Sequence, residues 1–302
     1  MSVPAAYLGV ILIWSTTPLA IQWSGADGHY LFGLMARMAI GLFVTLGLLS
    51  IMGRVIPRHK SALWSYMVAG CGLFIAMSST YWGAQHIPSG LISVIFGLSP
   101  VLTALMSTFW LNEKRLSIVR MFAIMISLSG LGIIFLFNQS QDSIALYGIA
   151  ALLFAVTVHS ASSVWIKRIN NSAIPLSPLA LNGGSLLVAA PLFAVSWLLL
   201  GDSVPAVFDE RVLWAIIYLG VIGSALGFVL YYYILHHLSA TVISMITLVT
   251  PVIALWLGST FNNETLGSNA LIGTGTIMMG LLLFQLDRVW HPKQKVLQYD
   301  SQ

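Results

Sequence analysis

Residues 61–112, SALWSYMVAGCGLFIAMSSTYWGAQHIPSGLISVIFGLSPVLTALMSTFWLN, and residues 212–263, VLWAIIYLGVIGSALGFVLYYYILHHLSATVISMITLVTPVIALWLGSTFNN, decide the fold. Each is 52 residues long and holds no Asp, Glu, Lys or Arg. The second follows the first at an offset of 151, which carries Pro100 onto Pro251, Asn112-Glu113 onto Asn263-Glu264 and Ile92-Ser93 onto Ile243-Ser244. A duplication that preserves apolar length and punctuation marks a membrane protein built from repeats. Each run is too long for one span and is interrupted near its middle, by His86-Ile87-Pro88-Ser89-Gly90 in one and His236-His237-Leu238-Ser239 in the other. Each is therefore expected to be a helical hairpin.

Composition names the solvent. Charged residues are 7% of the chain, against roughly 25% in a soluble domain, and 58% of residues are hydrophobic. With about 20 residues per span, the apolar runs predict an all-α membrane protein of ten helices. They lie near 4–22, 30–52, 62–84, 89–111, 117–137, 144–166, 177–200, 212–235, 240–261 and 267–286. No soluble domain is expected, and the start of the chain lacks the basic leader of a cleaved signal, so the first helix is expected to stay. The single cysteine, Cys71, excludes an internal disulfide and sits in an apolar run as a small core thiol.

The basic residues set orientation, because positive loops stay cytoplasmic. Arg54, Arg58, Lys60, Lys114, Arg115, Arg120, Lys167, Arg168, Arg288, Lys293 and Lys295 fall on one side, eleven of the thirteen Lys and Arg. Arg211 falls on the other, with Asp27, Asp142, Asp202, Asp209, Glu210 and Glu264. Both termini are then cytoplasmic. Five helices per half is an odd number, so the second half is predicted to enter the membrane inverted. The divisions are 1–140, 141–287 and a cytoplasmic tail at 288–302. The net charge of +4 reports this topology and gives no reason to invoke nucleic acid. Inverted halves are the architecture of carriers that hold substrate near the midplane.

At this point the chain resembles the drug/metabolite transporter superfamily, in its ten-helix EamA branch, over roughly Ala5 to Phe137 and Tyr147 to Leu286. The marks are Leu12-Ile13-Trp14-Ser15, Arg37, and a late block in each half. That block is Ile92-Ser93, Pro100, Asn112-Glu113 and Ser129-Gly130, then Ile243-Ser244, Pro251, Asn263-Glu264 and Met279-Gly280. The resemblance implies an inner-membrane carrier or exporter of small metabolites, sometimes amino acids or toxic compounds. Small four-helix members of the superfamily couple to protons through a Glu in the first helix, which this first helix lacks. No acidic residue is expected mid-membrane, which disfavours carboxylate-driven proton antiport.

Candidate substrate-binding residues are the polar and aromatic groups within spans: Trp14, Thr17, Arg37, Ser78, Ser99, His159, Ser224, Thr247 and Thr250. Arg37 is the one basic residue well inside a span, about seven residues or roughly 10 Å from the helix end at 1.5 Å per residue. A cation there must face protein or a cavity, either bonded to a helix end or offered to a carboxylate-bearing substrate. His159 is either a neutral histidine bonded to a neighbouring helix or a cavity group able to titrate. Trp14, with Ser15, Thr16, Thr17 and Pro18, is expected in the cavity. Tyr81, Trp82 and Tyr231 to Tyr233 are assigned to interfacial aromatic belts. Gly223, Ser224 and Gly227 first suggest close packing, with Ser224 also suited to the pocket. Pro100 and Pro251 are candidate hinges, each removing a donor from a carbonyl four residues earlier, Phe96 and Thr247.

No His, Cys or carboxylate cluster has metal-ligand spacing, so neither metal nor cofactor is expected. An enzyme is disfavoured: Ser127-Leu128-Ser129-Gly130 lacks the first glycine of an intramembrane serine-protease motif, and acidic residues are too sparse for phosphate chemistry. A channel is disfavoured because no charged pore ring appears. A diphosphate-bearing substrate would want several buried cations. The partners expected are a small neutral or zwitterionic solute and the lipid bilayer, with drug efflux as the alternative and homodimerisation left open.

Overall fold

The computed structural model describes residues 2–26, 29–111, 116–136, 143–170, 176–201, 209–238, 242–243, 245–265 and 267–290. Asn112, Glu113 and Ser244 of the late blocks lie outside these residues, as do Asp27, Asp142, Asp202, Lys114 and Arg115 of the charge argument. Among the described residues the regular structure is helical throughout. The helices are α1 (Val3–Ser24), α2 (Tyr30–Ile51), α3 (Lys60–Ala84), α4 (Ser89–Phe96), α5 (Ser99–Trp110), α6 (Ile118–Leu136), α7 (Ser143–Asn170) and α8 (Pro178–Leu200). Next come α9 (Glu210–Tyr218), a π-helical stretch (Leu219–Leu226), α10 (Gly227–His237), α11 (Ile246–Phe261) and α12 (Ser268–Trp290).

Helices α4 and α5 form one broken span, and α9, the π stretch and α10 form another. Among the described residues, eight helices are long and apolar enough to cross a membrane, and two apolar helices, at Ile118–Ile134 and Ile246–Phe261, are shorter. The chain is a multi-pass membrane protein. Large apolar side chains such as Phe43, Ile51, Leu199 and Phe109 lie on the outside, where lipid rather than water receives them.

Helix starts follow local chemistry. His59 accepts from the Ala62 amide at the head of α3 at 3.2 Å, and Asp209 accepts from the Arg211 amide at the head of α9 at 2.9 Å. Each satisfies a donor that the first helical turn leaves free.

The helices pack in pairs. Helix α2 lies on α8, α3 on α7 and α8, α6 on α12, α4 on α11, α5 on α7, and α1 on α10 and α11. Backbones approach closely between α6 and α12, where a methyl added to Gly130 would lie 2.6 Å from the Gly273 carbonyl oxygen. Small residues permit that approach, and van der Waals contact then replaces the hydrophobic drive that lipid does not supply. The main core joins Leu34 and Met38 of α2, Tyr81 of α3, Ile92 and Ile95 of α4, Leu152 and Val156 of α7, and Leu219.

Two features depart from the expected spans. The fourth is broken at Gly97 and Leu98, because Pro100 has no N–H for the Phe96 carbonyl. The Ser99 hydroxyl supplies that bond instead, at 2.7 Å. The eighth contains the π stretch. In the ninth, residues 242–243 are helical and Ile246–Phe261 runs through Pro251 as one helix, while the expected start at 240 lies outside the described residues.

Candidate functional site

Arg37 is the centre of the site. It is 7% exposed on α2, and its Nε donates to Ser224 Oγ and its Nη1 to Tyr81 Oη, each at 3.4 Å. Among the described residues no carboxylate comes within ion-pair distance of it; the charge pair present is Arg120 with Asp287, at 2.8 Å. Of the five N–H donors of a guanidinium, those of Nη2 have no hydrogen-bond partner among the described residues. The cation is thus buried and incompletely compensated.

The π stretch brings Ser224 to this cation. Its hydroxyl donates to the Leu219 carbonyl five residues back, at 2.9 Å, the spacing that a π turn creates and an α-helix does not. Such turns are frequent at functional sites. Gly220 permits the contact, since a methyl there would lie 2.6 Å from Ile40 Cγ2.

Tyr81 requires a correction. It is 0% exposed, bonded to Arg37 and 3.3 Å from Ser24 Oγ, so it belongs to the site and not to the interfacial belt. Its neighbour Trp82 is on the outside, as a belt residue should be. Nearness to a helix end suggested the belt for both, but they point in different directions. Ser78, one turn before Tyr81, keeps its hydroxyl buried and without a partner.

Helix α1 supplies the opposite wall. Ser15, Thr16 and Thr17 each donate a hydroxyl proton to the carbonyl four residues back, Thr17 to Ile13 at 2.6 Å. Trp14 packs on Tyr231 of α10 with ring centroids 5.1 Å apart, the rings tilted by 34°. Thr17, Arg37 and Ser224 meet around Gly223, where an added methyl would lie 3.9 Å from both Thr17 Oγ1 and Arg37 Nη2, while Trp14 packs further along α1 against Tyr231.

The other candidates lie in two further places. His159 of α7 faces Phe96 at a ring-centroid distance of 6.5 Å, beside the break in the fourth span, where Ser160 Oγ donates to the Ser99 carbonyl at 3.5 Å. The expected bond from His159 to a neighbouring helix is not present among the described residues. Thr247 accepts from Gln285 of α12 at 3.1 Å, and Thr250 and Pro251 are buried one turn further along. Gln285 gave no signal in the sequence beyond being an amide in an apolar run.

One end of the bundle is tied across the two halves of the chain. Asn262 donates to Gln22 Oε1 at 2.9 Å and accepts from Trp23 at 3.0 Å, while Ser89 donates to Glu264 at 3.0 Å. Asn263 ends α11 with a positive φ of 52°, a conformation Asn tolerates better than most residues. That turn brings Glu264 back to the head of α4. The Asn-Glu pair is thus a structural device at this end.

The chain, an all-helical bundle among its described residues with a buried cation on α2, matches a known family in its sequence. Residues 3–136 and 146–286 match the EamA-like transporter family, twice along the chain. The chain belongs to the EamA-like transporter family. It is similar to the uncharacterized transporter YoaV of Bacillus subtilis, 25% identical over 281 residues, which cover 91% of this chain and 94% of that one. Protein PecM of Dickeya dadantii is 24% identical, with 94% and 92% covered, and the uncharacterized inner membrane transporter YedA of Escherichia coli K12 is 23% identical, with 97% and 93% covered. A crystal structure 20% identical in sequence superimposes with a TM-score of 0.65 over 96% of this chain, which shows a shared fold. Family and relatives indicate a membrane transporter rather than an enzyme.

Proposed function

We propose that this EamA-like protein is an inner-membrane secondary transporter that exports small neutral or zwitterionic metabolites, such as amino acids, by alternating access. The single observation carrying the substrate reading is Arg37, a buried cation with unused donors and no described carboxylate beside it. A carboxylate-bearing solute would complete its coordination. A cationic drug would want an anion in the same place, and no Asp or Glu of the described residues occupies it.

The packing supports inverted halves, 1–140 and 141–287. The third span on the sixth corresponds to the eighth on the first, and the third on the seventh to the eighth on the second. The fourth on the sixth corresponds to the ninth on the first, while second on seventh, fourth on ninth and fifth on tenth map onto themselves. Every one of these contacts has its mate when each span is replaced by the one five later. Two similar halves give a carrier two similar energy wells, one open to each side. The cytoplasmic placement of both termini follows from the positive-inside argument.

The test is solute counterflow in liposomes, using pooled labelled amino acids, nucleosides and organic cations. Accumulation from the amino acid pool is expected. Accumulation from the cation pool alone would replace this reading with drug efflux.

A further inference from the structure

Gly220 and Gly223 of the π stretch are small for different reasons. At Gly220 packing forbids a methyl. At Gly223 a methyl would meet Leu219 Cδ2 at 3.6 Å, Arg37 Nη2 at 3.9 Å and Thr17 Oγ1 at 3.9 Å, all ordinary contact distances. Nor does its backbone need glycine, since Gly53 is the glycine with positive φ among the described residues. The missing side chain therefore leaves an atom-sized space that neither packing nor conformation demands. One boundary of that space is the unpartnered nitrogen of a buried cation.

The walls of the space differ in polarity. Arg37 offers only N–H donors. Across from it, the Thr17 proton is committed to the Ile13 carbonyl at 2.6 Å, so its oxygen is left as an acceptor. The Ser224 proton is likewise committed, to Leu219 at 2.9 Å. A donor wall carrying a positive charge thus faces an acceptor wall carrying none.

We propose that the gap over Gly223 is a subsite for the head of a zwitterion. Its carboxylate is held by Arg37 Nη2, and its adjacent ammonium group donates to Thr17 Oγ1. The assignment rests on the carrier reading above and makes it narrower. A carboxylate without an amine fills one wall only, and an amino acid amide leaves the cation without an anion. Gly223 sets the size of the subsite.

The experiment uses the full chain in liposomes, as wild type, Gly223→Ala, Thr17→Val and Gly47→Ala. Gly47 has nothing within 4 Å of an added methyl and faces outward, so it controls for a methyl elsewhere. Counterflow of labelled neutral amino acids is measured with unlabelled parent acids, their desamino acids and their amides as competitors. The wild type is expected to accumulate the amino acids, with desamino acids and amides competing at least about tenfold more weakly than the parents. Gly223→Ala is expected to lose about tenfold or more in kcat/KM at an unchanged melting temperature, as one methyl in a fitted pocket can cost, and Gly47→Ala to match wild type. Thr17→Val should weaken the parent acids and leave desamino competition unchanged.

Wild-type transport by Gly223→Ala, equal competition by amides, or equal loss of both competitor classes in Thr17→Val would overturn the assignment. Accumulation of nucleosides or organic cations without amino acids would also remove the subsite while leaving the carrier reading in place. Failure of every pool would sink both.

Discussion

Ser89, the first residue of α4, donates to the Glu264 carboxylate at 3.0 Å, although 175 residues separate them in the chain. The carboxylate sits where the first turn of α4 leaves its amides unpaired, so the helix dipole reinforces the bond. Its other oxygen accepts from Asn262 at 2.9 Å. The contact ties the end of the ninth span to the start of the fourth, and a carrier that rocks its halves must break it. Glu264→Ala is expected to destabilise the protein by about 1.5–3 kcal/mol, the range for hydrogen bonds to a charged group. Thermal unfolding in detergent reads this as a lower melting temperature, and an unchanged one would mean that the contact does not hold the seam.

Arg120 and Asp287 join α6 to α12 with unequal burial, their side chains 17% and 3% exposed. Removing the arginine strands a buried carboxylate, whereas removing the aspartate leaves a cation that can still reach water. Arg120→Ala should therefore cost more than Asp287→Ala, toward the roughly 3–5 kcal/mol of a broken buried pair. The double variant should be less harmful than the sum of the two, which a double-mutant cycle of melting measurements decides.

The break in the fourth span gives a paired prediction. Ser99→Ala removes the donor to the Phe96 carbonyl and should destabilise by about 1 kcal/mol. Adding Pro100→Ala restores a backbone N–H to that carbonyl, so the double variant should recover the lost stability while straightening the span. Counterflow should then slow although the melting temperature does not fall. Wild-type counterflow in the double variant would show that the break serves packing alone.

How far the sequence could be followed depends on what lipid conceals. Helix positions were legible because charges and turn residues cannot sit in hydrocarbon, and the described helix ends fall within a few residues of those expected, the expected start at 240 lying outside the described residues. The facing of each helix was not legible, since lipid and protein interior are both apolar and hydrophobic periodicity fades. Tyr81 was misplaced for that reason: only the packing of α3 on α7 and α8 decides that it points inward while Trp82 points out. Arg37, Thr17 and Ser224 stood out as polar groups in apolar runs and lie together around Gly223. The π stretch had no warning in Leu219–Leu226, because a shift from four-residue to five-residue hydrogen bonding leaves composition unchanged. Gly223 was grouped with packing glycines, and only its contact distances separate it from Gly220.

The most direct test of the central claim compares wild type with Arg37→Ala and Arg37→Lys in liposomes, by counterflow of the amino acid pool. Loss of a buried charge contact to substrate predicts a fall of about a hundredfold in kcat/KM for Arg37→Ala, with membrane expression intact. Lysine, which keeps the charge and loses the planar fork, should restore part of it. Transport at the wild-type rate by a well-folded Arg37→Ala protein would contradict the account, because the substrate would then not be held by this cation.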